Sequence, residues 1–179
     1  MIDPLNIIKK HYRPDTELYH ILMKHSEQVM NKALEVSLHH PELAINNEFI
    51  TEAAMLHDLG IFLCNAPRIH CFGSHQYIEH GYLGADLLRK EGLHDHALVC
   101  ERHTGTGISL EQIISKQLPL PLREMRPVTL EEQVICYADK FFSKTDLHSE
   151  LTIDRIRTML GHHHPENIDI FDNWHKRFS

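Results

Sequence analysis

The stretch Ala53-Ala54-Met55-Leu56-His57-Asp58-Leu59-Gly60 decides how the chain is read. An imidazole and a carboxylate stand side by side where an apolar, helix-forming run ends. Burying such a pair is costly unless something compensates it, and a metal ion suits both ligand types. Working outward, the question is which other histidines and carboxylates fall on buried faces.

Upstream, Leu18, Leu22, His25, Val29, Ala33 and Val36 recur at three- and four-residue spacing. That pattern predicts a helix from Asp15 or Thr16 to about His39, with His25 on its buried stripe. A short helix starts at Asp3-Pro4, with Asp as N-cap and Pro in the first turn. Asn46 or Asn47 caps the helix that carries Ile50, Ala53, Ala54 and His57, and Gly60 serves as its C-terminal stop. Residues 61–74 read as a loop. A helix over 75–91 puts His80, Leu83, Leu87 and Leu88 on one face, and another over 93–103 ends on His103 before Thr104-Gly105-Thr106-Gly107. Ser109 with Gln112 and Thr129 with Glu132 match the capping-box pattern. Between them, the proline-bearing segment 118–128 is placed to cover a site as a lid.

Val134, Tyr137, Ala138 and Phe141 line up on the next helix, and two more are expected over 149–160 and 165–178. Phe171, Trp174 and Phe178 form a core stripe on the last. His162-His163-His164 reads as a polar loop. With no repeat and no convincing strand, the expectation is an all-α, single-domain helical bundle over 1–179. Its motif-bearing core spans about 16–146, and C-terminal helices over 149–178 pack on that core.

A chain of 179 residues can bury a sizeable core. A net charge of -7 with no basic stripe argues against nucleic acid as a partner. It is compatible with an anionic substrate, because bound cations would invert the local field. The four cysteines lack metal-ligand spacing and read as reduced packing residues. No apolar run approaches the ~20 residues that span a bilayer, and the start is unlike a signal peptide, so a cytoplasmic location off the membrane is expected. Histidine is abundant, at 17, so position has to decide which ones matter.

His25, His57, His80 and His103 each fall on an apolar face or at a helix end, accompanied by Asp58 and by Asp139 in Tyr137-Ala138-Asp139-Lys140-Phe141. Neutral imidazoles and carboxylates on separate helices are the ingredients of a bundle-core metal site. The order His … His-Asp … His … His … Asp resembles the HD-domain superfamily of metal-dependent phosphohydrolases, over roughly Leu18 to Phe142. Leu59-Gly60, His80-Gly81-Tyr82-Leu83-Gly84-Ala85 and Glu101-Arg102-His103-Thr104-Gly105 are closest to its small HDIG-type branch. Thr104, and the lack of a Gly-Tyr-Pro motif, set the chain apart from the cyclic-di-GMP phosphodiesterase branch.

The resemblance implies a helical bundle holding one or two divalent transition-metal ions: iron, manganese, zinc or nickel. One ion would take His25, His57, Asp58 and Asp139; a second would share Asp58 and add His80 and His103. The implied reaction cleaves a phosphate ester or anhydride of a small nucleotide or related phosphorylated metabolite, with water activated to hydroxide by the ions. His57 and Asp58 would be the catalytic pair. Arg102 and Lys140, each beside an implied ligand, are candidates for phosphate contact; Arg68, Arg123 and Arg126 are weaker ones, and His70 and His75 are candidate proton donors to a leaving group. The competing readings are a di-iron oxygenase built on the same ligands and a non-catalytic metal-containing ligand-binding protein. An oligomer is compatible with all three.

Overall fold

The computed structural model describes residues 2–179, and of His163 its backbone only. The buried stripes of the sequence become a stack of helices. Helix α1 (Pro4–Ile8) starts on the Asp3 side chain, which accepts from the Leu5 N–H at 2.9 Å. Thr16 caps the long α2 (Glu17–His39), and Asn46 caps α3 (Asn47–Leu56). Helices α4 (His80–Lys90) and α5 (His94–Arg102) form a tightly packed antiparallel pair. Helix α6 (Leu110–Ser115) opens with the expected Ser109–Gln112 capping box. Helix α7 (Leu130–Asp139) lies against α2, and α8 (Ile153–His163) and α9 (Glu166–Phe178) close the chain.

Two large apolar clusters hold most of these helices, and a third, small one around Ile113 holds α6. The larger joins α2, α3, α7 and α9 through Val29, Ile50, Ile135, Tyr137, Phe171 and Phe178, so the aromatic stripe of the last helix is core. The second joins α2, the end of α3, α4 and α5 through Leu22, Leu56, Leu59, Ile61, Leu88 and Cys100. On α2, His25 lies between Leu22 of one cluster and Val29 of the other. All four cysteines are buried and free.

Several local expectations change. Helix α4 begins at His80 rather than residue 75, because Gln76 and Glu79 close a capping box around a single 3₁₀ turn, Tyr77–Glu79. Glu132 does not complete a box on Thr129; its carboxylate takes the Val128 N–H at 2.8 Å instead. Two small antiparallel ladders appear where none was expected: β1 (Asn65–Ala66) with β2 (Cys71–Phe72), and β3 (Phe142–Ser143) with β4 (Asp146–Glu150). The second ladder occupies the start of the helix expected over 149–160; it is tied to α2 by Gln28 donating to the Leu147 carbonyl and by Lys32 pairing with Glu150. Thr152 then caps α8, which continues through His162 and His163, so the histidine triplet is not a loop.

Gly60 is not a left-handed helix stop, since its φ is -86°. Its role is close approach. A Cβ there would lie 2.2 Å from the His80 carbonyl oxygen and 2.5 Å from the Gly84 nitrogen. Gly84 reciprocates, its own added Cβ falling 2.8 Å from the Gly60 nitrogen and 2.6 Å from the Cys100 sulfur. This glycine seam lets the turn after α3 lie directly on α4. We expect Gly60→Ala to cost about 3 kcal/mol in urea unfolding, because both obstructing groups are backbone. Gly92→Ala, at φ 77° with nothing within 4 Å, should cost only about 1 kcal/mol.

Candidate metal centre

The six implied ligands converge. His57 sits at the C-terminal end of α3 with Asp58 in the following turn, His80 opens α4, His103 ends α5, and Asp139 is the last residue of α7. The ligand atoms of His25, His57, Asp58 and Asp139 lie within 4.8 Å of one another, as do those of Asp58, His80 and His103. The two carboxylate oxygens of Asp58 divide the groups between them. Oδ2 is 3.2 Å from His25 Nε2 and 3.2 Å from His57 Nε2. Oδ1 is 3.4 Å from His80 Nε2 and 3.3 Å from His103 Nε2. Asp139 Oδ1 joins the first group, 3.0 Å from His25 Nε2.

A repeated local device aims three of the imidazoles. Each donates its Nδ1–H to the backbone carbonyl three residues earlier: His57 to Ala54 at 2.6 Å, His80 to Tyr77 at 2.5 Å and His103 to Cys100 at 2.7 Å. A carbonyl can only accept, so the proton of each neutral ring belongs on Nδ1, and Nε2 presents a lone pair inward. The lone pairs of His80 and His103 thus face each other at 3.0 Å, beside an ionised carboxylate. That arrangement is repulsive unless a cation stands among them. Both oxygens of Asp58 and Nε2 of His57 are also buried without a well-formed hydrogen bond. The residues fit divalent metal ions, and the nitrogen and carboxylate donors suit iron, manganese, zinc or nickel alike.

Two lysines face these carboxylates. Lys144 Nζ lies 2.6 Å from Asp58 Oδ2, and Lys140 Nζ lies 2.7 Å from Asp139 Oδ2 while donating to the His103 carbonyl. Burial alone would raise both carboxyl pKa values, but Lys144 beside Asp58 and Lys140 beside Asp139 hold them well below the usual range. Lys144 has no periodic signature, lying in the irregular Phe142-Ser143-Lys144-Thr145 turn that the β3–β4 ladder folds back over the site. Lys140 lines the cavity that opens beside the centre.

Arg102 does not contribute as expected: its guanidinium is held on Glu132 at 2.9 Å, and it does not line the cavity. Adjacent helical residues point about 100° apart, so His103 and its neighbour face different ways. Of the weaker candidates, Arg123 is held on Glu101, Arg126 on Glu124 and His75 on Glu79, and His70 is exposed at a left-handed turn; Arg68 lines the cavity. The segment 118–128 does not act as a free cover. Ile108 and Met125 pair through their backbones, and Leu120 and Met125 pack on Ile113.

Burial, with His103 beside it, pushes His80 down to about 3, and burial lowers His103 too, so both are neutral. His57 is the exception. Burial would lower it, but Asp58 and Asp139 outweigh that and raise it to about 9. A metal-free centre therefore carries a proton on His57 at pH 7 that metal must displace. The raised pKa stabilises the metal-free fold below about pH 6.5 and loses that contribution as pH climbs toward 9, whereas metal affinity rises over the same window. Calorimetric titration of the metal-free protein with Mn²⁺ at pH 7, in buffers of different ionisation enthalpy, should register about one proton released per protein molecule, from the site that holds His57 and none from the other; His57→Gln should abolish that release.

Comparison with known proteins agrees with this geometry. The HD domain matches residues 22–143, which contain all six converging residues. An uncharacterized protein of Methanocaldococcus jannaschii is 34% identical over 151 residues, covering 78% of this chain and 82% of its own. Two proteins named tRNA (cytidine(56)-2'-O)-methyltransferase also match. That of Picrophilus torridus is 29% identical over 69% of this chain, and that of Thermoplasma volcanium 36% identical over 52%. The matches span only 32% and 24% of those two proteins. No solved structure matches the chain. With more than half of its length matched and every residue of the buried cluster inside the matched span, the chain belongs to the HD-domain family.

Proposed function

We propose that the protein is a metal-dependent phosphohydrolase cleaving a small phosphate ester or anhydride. The observation that carries this reading is the meeting of inward imidazole lone pairs and two carboxylates beside a cavity whose adjacent wall bears Lys140 and Lys144. His25, His57, Asp58 and Asp139 would hold one ion, and Asp58, His80 and His103 a second. Divalent cations held there would supply Lewis acidity, activating water and withdrawing charge from phosphoryl oxygens.

The chain's own groups do the rest. The Nδ1–H anchors keep three rings from turning, so reorganisation on binding is small. The two largely buried ammonium groups pair with the carboxylates and stand within reach of an incoming phosphoryl group, where each would act as a fixed cation in a poorly hydrated site. Tyr77 stacks on His80 with ring centroids 4.6 Å apart, and Lys144 lies 6.0 Å over the Tyr77 ring, so this tyrosine positions both. The substrate would be a small phosphorylated metabolite or nucleotide. Buried free thiols support a reducing, cytoplasmic setting, and among the described residues no helix is long and apolar enough to cross a membrane.

The test begins with elemental analysis of the purified protein, then a panel of phosphate esters and anhydrides with the metal it retains. Turnover that persists anaerobically with Mn²⁺ would exclude the oxygenase reading. Asp58→Ala should lose both metal and activity, since it removes the shared carboxylate; wild-type metal content in that variant would overturn the assignment. Lys144→Met should lower kcat/KM about 100-fold with metal content unchanged. Arg102→Met, at a side chain held on Glu132 and outside the cavity lining, should leave kcat/KM as it is.

A further inference from the structure

The cavity beside the centre measures about 710 Å³, far more than a phosphoryl group fills and well inside the range of sites for whole small molecules. His80, Asp139, Lys140 and Lys144 form its charged end. Beyond them it is lined by aliphatic side chains from two separate sources. Ile78, Ile108 and Leu118 belong to the small cluster around Ile113. Leu151, Ile156, Met159 and Leu160 come from the segment around α8, at the edge of the main core or beside it.

Arg68, Thr104, Lys116 and His164 also line the cavity, and four other polar side chains of the lining are engaged in part within the protein. Gln112 Oε1 accepts from the Ser109 N–H, Ser143 and Thr145 bond to each other at 2.9 Å, and Asn167 Oδ1 accepts from Thr106 at 3.0 Å. A ribose or a base edge set against the aliphatic walls of Ile78, Ile108, Leu118 and the α8 segment would leave its own hydroxyl and amide groups poorly matched. The residues Leu151, Ile156, Met159 and Leu160 also lie past residue 143, where the HD match ends. The chamber is thus finished by a part of the chain outside the matched domain.

From this we infer the substrate class: a phosphate monoester whose organic part is a bulky apolar group, with the phosphate at the lysines and the apolar body against the α8 wall. This rests on the phosphohydrolase reading for the reaction but not for binding. Hydrolysis breaks the ester P–O bond as water adds to phosphorus, releasing inorganic phosphate and the apolar alcohol, which keeps the bridging oxygen and gains a proton.

The test separates binding from chemistry. Non-hydrolysable n-alkylphosphonates from ethyl to hexyl are titrated calorimetrically into the Mn²⁺-loaded protein, alongside adenosine and thymidine monophosphates. Affinity should rise roughly fourfold per methylene, and hexylphosphonate should bind at least tenfold more tightly than either nucleotide. Met159→Asp, at a half-exposed position, should flatten that slope with helical content and bound Mn²⁺ unchanged. A flat chain-length series, or tighter binding of the nucleotides, would overturn the assignment. In parallel, hexyl phosphate and ethyl phosphate are assayed for phosphate release. A steep binding series with no release from any ester would remove the hydrolase reading and leave the ligand class standing. Release at a rate indifferent to chain length would do the reverse.

Discussion

The repulsion among buried lone pairs around Asp58 is the constraint on which the rest of the structure depends. Four imidazole nitrogens and two carboxylates are brought together by five separate elements, a costly burial that a cation among them offsets. The chain also sets cations of its own there: Lys144 against one oxygen of Asp58 and Lys140 against Asp139, while the same two carboxylates raise the pKa of His57. All three answer the same concentration of negative charge. The fold is therefore organised around a position that must be positive, whichever species makes it so.

Much of this was legible in the sequence, and the parts that were not share a cause. His25, His57, His80 and His103 stood out because helical periodicity places them on buried faces, and their chain order with Asp58 and Asp139 carried the family resemblance. The core stripe of α9 was readable for the same reason. Lys144 was invisible because it reaches Asp58 through a two-strand ladder whose partners on α2 lie more than a hundred residues away. That ladder also displaced the expected start of α8. Arg102 misled because adjacency in sequence was taken as adjacency in space, while Glu132 at the start of α7 was waiting on the other side of the helix. Gly60 was noticed for the right residue type and the wrong reason: a glycine can mark a backbone bend or a backbone contact, and local pattern does not separate them.

The same division bears on specificity. The charged end of the cavity comes from the matched domain, save Lys144 just past its end, whereas much of the apolar lining comes from the segment around α8. Changes in that segment can alter what the site accepts without disturbing the ligand geometry, since none of the six converging residues lies there. The loop 61–74 contributes less than its length suggested, through Ala66, Arg68 and Ile69.

The placement of His57, His103 and Asp139 at the ends of α3, α5 and α7 has one more consequence. Peptide dipoles in a helix leave partial negative charge at its C-terminal carbonyls, equivalent to about half an electron at each end. Three such ends point toward this cluster, and two of them, at Ala54 and Cys100, supply the carbonyls that anchor imidazoles. Against these three ends stands one N-terminal end, that of α4 at His80, so the balance of the backbone at the centre is negative before any carboxylate is counted. Selection for a cation is built into the direction in which the chain runs, and side chains decide only which cation is kept.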